Sequence, residues 1–489
     1  MNAVSCPDMR FGWILLLSAG LACAQTAPKP ESGKRYGRVV IRNAMVIEGN
    51  GAPVSGPMDI AIVNGTITDV VPARGRRIPA GDAEIDAAGK YVMPGLINVH
   101  AHVQDERAGI PQPLDYELKI WLACGITSVR DVGSDMKKTL QLRADSAAGK
   151  VASPRIFVYP MFNNAPTPKN AEEARAKVRQ FKAAGVDGIK IVGTYRDVME
   201  GLLEEAHKAG LPVAHHGGVG ETTAWDDIRL GTTSIEHWYG IPDAAIDGGV
   251  QNFPASYNYL DEADRFRYAG HLWREANPKR LLDVLDGMIK ASVAWVPTLD
   301  IYEASRDLQR AQTQPIFKDY LHPTLEKYFE PNLANHGSYF VNWTTTDEVF
   351  WRENYRIEMD ALKEFGKRGG LIGCGDDAGF IYQMYGIGLI REMELHQEAG
   401  FHPLKVVQHC TENNARILGQ QMKLGRVRAG WAGDVIVVNG NPLEDFKVLY
   451  PKIGPTGGGV EWTVKDGIPY HGPTLMKDVK DMVAKARAK

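Results

Sequence analysis

The chain has 489 residues, of which 44% are hydrophobic and 24% charged, with a formal net charge of −3. That length suits a large α/β unit with a smaller satellite, and the balance of residue types is that of an ordinary globular protein. A slightly acidic chain has no electrostatic footprint for nucleic acid, which excludes that class of partner.

At the N-terminus Arg10 precedes an apolar run over 11–21, followed by Ala22-Cys23-Ala24 and Gln25. This pattern predicts a secretory signal peptide over 1–24, hence a periplasmic or secreted protein. The apolar run is too short for an ordinary transmembrane helix, and no later segment is apolar enough to cross a bilayer. Lipid attachment at Cys23 is the alternative, and Gly20-Leu21-Ala22 matches it poorly. Cleavage would leave Cys124, Cys374 and Cys410, three scattered cysteines from which no disulfide framework is expected.

Residues 36–92 read as short strands with Gly, Asn and Pro punctuation, and Asn64-Gly65 between two apolar runs is a hairpin signal. The same texture returns over 422–472. Together they predict a small discontinuous β-sandwich domain built from both chain ends. Between them, over 93–421, strands alternate with helices, which predicts a parallel sheet and a (β/α)8 TIM barrel.

The first barrel strand ends in Asn98-Val99-His100-Ala101-His102. Side chains at i and i+2 share one side of a strand, so both imidazoles can reach one metal ion. Further on, Asn170 and Glu173 open a helix that Gly185 stops, and the next strand carries Lys190. A helix stopped by Gly210 leads to a strand ending His215-His216, and one stopped by Gly231 leads to Ser234-Ile235-Glu236-His237. The titratable residues therefore recur about once per βα repeat, at equivalent strand ends. Residues 250–355, rich in Trp, Tyr and Phe, read as later barrel units with an enlarged insertion, with a strand over 294–299. Its His271, His322 and His336 read as surface residues. Asp377 follows in Gly373-Cys374-Gly375-Asp376-Asp377-Ala378-Gly379, and the tail, 473–489, reads as a solvated helix.

Barrel enzymes place their active sites at the C-terminal strand ends. Imidazole and carboxylate there suit zinc or a similar divalent ion. A two-metal site also needs a bridging anion, which Lys190 can provide once carboxylated by carbon dioxide. Strand alternation lets only one of His215 and His216 face the interior, and Asp376 and Asp377 pose the same choice. Glu236 reads as a structural carboxylate turned away from His237. Arg130 and Asp131 read as an ion pair near the second strand, with substrate contact as the alternative. Tyr195 reads equally as a carbonyl-polarising or a packing group.

These motifs resemble those of metal-dependent amidohydrolases: the His100/His102 strand, Gly125-Ile126-Thr127-Ser128-Val129-Arg130-Asp131, Ile189-Lys190-Ile191 and Ser234-Ile235-Glu236-His237. Gly375-Asp376-Asp377-Ala378-Gly379 resembles the family's Gly-Thr-Asp-x-Gly, with Asp376 in place of Thr. Thr411-Glu412-Asn413-Asn414-Ala415-Arg416 and Gly430-Trp431-Ala432-Gly433-Asp434-Val435 continue the likeness. Within the family the chain is most similar to the binuclear, prolidase-like and imidazolonepropionase-like branch, whose members cleave dipeptides and N-acyl amino acids.

The resemblance implies that His100 and His102 hold the more buried metal and that Lys190, as carbamate, bridges both. It also implies that His216 and His237 hold the exposed metal, and that Asp377 is ligand and catalytic acid–base group. The family's register favours His216 over His215 and Asp377 over Asp376. The implied cofactors are two divalent ions, zinc foremost with manganese, cobalt or iron as alternatives, and carbon dioxide for the lysine. The implied reaction is hydrolysis of a C–N amide bond in a small dipeptide or N-acyl amino acid by a metal-bridging hydroxide. A lactonase or esterase would use the same ligands; a mononuclear deaminase and an inactive scaffold are the other readings. Homo-oligomers occur among proteins of this kind.

Overall fold

The computed structural model describes residues 28–75, 78–218, 221–258, 261–332, 339–451 and 459–489, besides Met1. The expected signal peptide beyond Met1, and His336, lie outside the described residues.

The chain opens with five strands, β1 (Arg38–Val46), β2 (Ser55–Val63), β3 (Thr66–Pro72), β4 (Ala83–Asp86) and β5 (Tyr91–Pro94). Asn64 and Gly65 between β2 and β3 both take positive φ, 49° and 78°, as a tight two-residue hairpin turn requires. Next come β6 (Leu96–Ala101), a small hairpin of β7 (Glu106–Arg107) and β8 (Ile110–Pro111), and α1 (Leu114–Ala123). Strand and helix then alternate: β9 (Ile126–Val132), α2 (Met136–Ala147), β10 (Arg155–Tyr159), α3 (Ala171–Ala184), β11 (Ile189–Val192) and α4 (Arg196–Ala209). The pattern continues with β12 (Val213–His216), α5 (Ala224–Leu230), β13 (Ser234–Glu236), α6 (Glu262–Glu275), α7 (Pro278–Ala291) and β14 (Ala294–Val296). Gly185, Gly210 and Gly231 end α3, α4 and α5 in the left-handed conformation, so each chain reversal sits where the sequence signals it.

After β14 the helices α8 (Glu303–Arg306), α9 (Leu308–Gln312), α10 (Phe317–Tyr320) and α11 (Pro323–Tyr328) precede the long α12 (Thr345–Lys367). Then follow α13 (Ile387–Glu398), α14 (Pro403–Gln408), α15 (Asn414–Ile417), β15 (Val435–Val438), β16 (Val460–Lys465), β17 (Ile468–His471) and α16 (Gly472–Arg487).

The parallel strands follow one another around a ring, giving a mixed α/β fold of TIM-barrel type. β6 pairs β9 and β9 pairs β10. A bridge from Met161 to Lys190 leads on to β11, which starts the ladder β11-β12-β13-β14. Trp295 bridges Ile372, and the amide of Val99 donates to Cys374 O at 3.1 Å, returning to β6. The segment 371–374 thus stands as the eighth member. β6, β9, β13 and β14 are buried along their whole lengths, which is why they read as unbroken apolar runs.

The strands from the two chain ends join in one sheet of order β17-β16-β15-β5-β1-β2-β3, with β4 on β1. The strands are thus connected in one hydrogen-bonded sheet, and residues of β1 to β5, β15 and β16 share one apolar core. β1 pairs with β2, β4 and β5 alike, breaking register between Ile41 and Ala44, where Asn43 takes φ 60°, so one bent strand links all eight. The chain ends meet where β15 runs antiparallel to β5.

Three expectations are corrected. The tail helix α16 is amphipathic: Leu475, Met476, Val479 and Val483 are buried, and Leu475 and Met476 pack with Leu122 and Ala123 at the end of α1. His322 is buried and caps α11, and His271 is mostly covered beside Asp347, so neither is a surface residue. Cys374 and Cys410 form a disulfide, their Cα atoms 4.9 Å apart, and only Cys124 is free among the described cysteines. Their separation of 36 positions carries no local signal; ring closure brings them together.

Candidate active site

His100, His102, Lys190, His216, His237 and Asp377 all line one cavity of about 280 Å³ at the C-terminal ends of the parallel strands. His102 Nε2 lies 2.8 Å from Asp377 Oδ1, and His100 Nε2 lies 3.7 Å from the same oxygen. His237 Nε2 is 3.9 Å from Asp377 Oδ2, and Lys190 Nζ is 3.5 Å from His100 Nε2. The His216 and His237 ring centroids are 4.4 Å apart.

Neighbouring groups fix which ring nitrogen faces the cavity. His100 Nδ1 donates to Glu236 Oε2 at 2.6 Å, and His237 Nδ1 shares a hydrogen bond of 2.6 Å with Thr298 Oγ1. Both Nε2 atoms are therefore free to turn to Asp377. Ligand atoms of His100, His237 and Asp377 lie within 4.8 Å of one another. Such convergent, buried imidazole nitrogens around a carboxylate fit a divalent metal ion, with the carboxylate and hydroxyl behind them holding the rings.

The two adjacent-residue ambiguities resolve by opposite facing. His215 turns outward, its Nδ1 2.8 Å from Asp227 Oδ1 on α5, while His216 lines the cavity. Asp376 is fully buried, accepting from Asn98 Nδ2 at 2.6 Å, while Asp377 lines the cavity.

Strand alternation would send Glu236 and His237 to opposite faces, yet both serve the same end of the ring. His237 takes φ 60°, and this left-handed turn swings its ring into the cavity. Thr298 (φ 49°) and Asp377 (φ 48°) share that conformation. Three non-glycine residues in this region, each costing about 1–3 kcal/mol, cluster where strain accompanies function.

The electrostatics favour ligand forms. Burial pushes His100, His216 and His237 well below their ordinary value, and Lys190 is among the groups that lower each further. Burial acts to raise Asp377, but His100, His102 and Lys190 outweigh it and hold the carboxyl below its usual range. Burial lowers Lys190 to about 8, against the opposing pull of Glu236 and Asp377. The neutral amine this favours is the form that reacts with carbon dioxide.

Other expectations change partners. Arg130 pairs with Glu236, its Nη2 donating to Oε1 at 2.6 Å, and not with Asp131. Asp131 accepts from the Val103 amide at 3.0 Å and from Ser134. Glu236 is a buried structural carboxylate, and it also orients His100. Tyr195 is 69% exposed at the start of α4 and outside the cavity, so it neither packs nor reaches a bound carbonyl. Thr298, Tyr239, Phe266 and Tyr302 at the site were not singled out from the sequence, because no short-range pattern marks them.

The amidohydrolase family model matches residues 91–252 and 281–460. Among curated proteins, a dihydroorotase of Solibacter usitatus is 29% identical over 226 residues, 43% of this chain and 49% of that protein. The chain thus spans about half the length of that relative. Among solved structures, a Xaa-Pro dipeptidase with bound methionine superposes with a TM-score of 0.63 at 22% identity, covering 89% of this chain and all of the other. A bottromycin amidohydrolase superposes with a TM-score of 0.67 at 18% identity, covering 93% and 92%. These likenesses establish the fold, and the family match, which spans most of the chain and includes all six cavity side chains, establishes descent: the chain belongs to the amidohydrolase family.

Proposed function

We propose that this protein is a metal-dependent hydrolase of C–N amide bonds acting on dipeptides or N-acyl amino acids. The observation that carries the reading is the convergence of His100, His102, Lys190, His216, His237 and Asp377 on one cavity. In this reading the ring over 93–421 is a closed (β/α)8 barrel, and the sheet from 36–92 and 422–472 is a separate small domain. The names of the relatives and fold neighbours, dihydroorotase and Xaa-Pro dipeptidase, suit it.

The six side chains would hold two divalent ions, zinc by ligand type, which would activate water and polarise the scissile carbonyl. Lys190, carboxylated by carbon dioxide, would offer two oxygens as the bridging anion. Asp377, held as a carboxylate, takes a proton from the attacking water at a carboxylate oxygen and returns it to the leaving nitrogen. Phe266 and Tyr302, both within 250–355, wall the cavity together with Tyr239 and Phe380. They exclude water and suit an apolar acyl or side-chain group.

Elemental analysis of protein purified with bicarbonate, beside Lys190→Ala, tests the centre. Two metal equivalents in the wild type and loss of one in the variant are expected; one equivalent in both overturns the binuclear reading. A parallel panel of dipeptides, N-acyl amino acids and lactones tests the bond, and turnover of lactones alone overturns the amide assignment. We also read 1–24 as an export signal, so that protein recovered from outside the cytoplasm starts at Gln25; an uncleaved cytoplasmic chain overturns that.

A further inference from the structure

A second cluster of metal-ligating side chains lies outside the catalytic cavity. Cys374 ends the eighth ring segment, a few positions before Asp377. His409 and Cys410 open a π-helical turn, His409–Asn413, between α14 and α15. His396 on α13 brings its Nδ1 to 3.8 Å from Cys374 Sγ and 3.0 Å from His409 Nδ1. Cys374, Cys410 and His396 are fully buried, and His409 is nearly so.

The histidine is also pre-set. Glu392, one turn earlier on α13, accepts from His396 Nε2 at 3.0 Å. That carboxylate–histidine pairing places the ring hydrogen on Nε2 and a lone pair on Nδ1, as behind a metal ligand. A single proton, on His409 Nδ1, then fills the space between the two facing nitrogens. His396 Nδ1 thus faces one imidazole nitrogen and one sulfur, with Cys410 bonded to that sulfur, and two imidazoles with two cysteines are the donor types of a Cys2His2 zinc site. His409 also lines a surface cavity of about 570 Å³, which gives an ion a route to the cluster. Only the bond between the sulfurs stands against ligation.

We propose that Cys374, His396, His409 and Cys410 form a separate single-zinc site when the two cysteines are thiols, so that disulfide and metal are alternative states of one position. The chemistry balances with a phosphine as reductant. The S–S bond breaks, phosphine and water become phosphine oxide, and each sulfur gains a proton. Zinc then displaces both thiol protons, and the His409 ring proton passes from Nδ1 to Nε2. An oxidising compartment favours the disulfide and a reducing one the metal form.

Cobalt(II) is the probe, because thiolate ligands give an intense sulfur-to-cobalt charge-transfer band and the catalytic ligand set contains no cysteine. Full-length protein is stripped of metal with a chelator and titrated with cobalt, with and without prior phosphine treatment. The reduced protein is expected to show the band and to bind one equivalent more than the unreduced protein. Cys410→Ser and His409→Asn, checked for folding by circular dichroism, are expected to lose that equivalent. Absence of the band from the reduced wild type overturns the proposal. So does an undiminished band in Cys410→Ser, which would show that Cys410 is not a ligand. If neither variant folds, the reduced-against-unreduced comparison of the wild type decides alone. The catalytic metals contribute nothing to this band, so its outcome is independent of the amide-hydrolase reading.

Discussion

Glu236 reaches His100 and Arg130 at once, with Oε2 2.6 Å from His100 Nδ1 and Oε1 2.6 Å from Arg130 Nη2. All three groups are buried inside the ring. One carboxylate therefore aims a cavity-facing imidazole and neutralises a guanidinium that has no access to water.

Replacing Glu236 separates these two roles. Glu236→Gln leaves Arg130 without its counter-charge, which should cost about 3–5 kcal/mol of stability. It should also weaken metal binding about 10–100-fold, because the His100 ring loses its orienting acceptor. Urea unfolding reads the first effect and chelator competition the second. Unchanged metal affinity in a folded variant would show that Glu236 acts on stability alone.

Adjacent histidines should behave oppositely. His216→Ala should lose bound metal and activity by at least the about 10–100-fold that loss of a mere supporting partner costs. His215→Ala should keep its metal content and lose about 1–3 kcal/mol of stability, since Asp227 is left buried without its partner. Metal analysis and thermal unfolding on the pair check this, and an exchange of the two phenotypes would refute the facing described above.

Asp243 gives a pH signature away from the cavity. It is buried, accepts from the Gly240 amide at 3.0 Å and from Gln251, and burial raises it to about 6 from 3.8. The folded state thus keeps a proton that the unfolded chain has already lost. Its contribution to stability is full below about pH 4, declines as pH rises toward 6 and is flat above. Asp243→Asn lacks this decline, so the melting temperature of the variant relative to wild type should rise between pH 4 and 6 and then level off. A difference independent of pH would contradict it.

The C-terminal helix should carry stability through one face. Leu475→Ala in α16 should cost about 2–5 kcal/mol, because it opens a hole against Leu122 and Ala123. Lys485→Ala on the exposed face should change stability by no more than about 0.5 kcal/mol. Equal effects at both positions in denaturant titrations would restore the picture of a solvated tail.

The chain alone determined where the chemistry-bearing side chains fall along the strands. His100 and His102 share a strand face by the period of two, and Gly185, Gly210 and Gly231 mark the helix ends that bring Lys190, His216 and His237 to strand termini. These signals span a few residues, so sequence order suffices to express them. Alternation also shows that His215 and His216, or Asp376 and Asp377, face opposite ways, but it is blind to which way. Only Asp227 on α5 and Asn98 on β6 decide that, because they arrive from elsewhere in the fold. The role of Glu236, the bond between Cys374 and Cys410, the bent single sheet and the docked face of α16 were likewise decided by tertiary structure. Each depends on groups brought together when the ring closes, and no local pattern records a contact made at that distance along the chain.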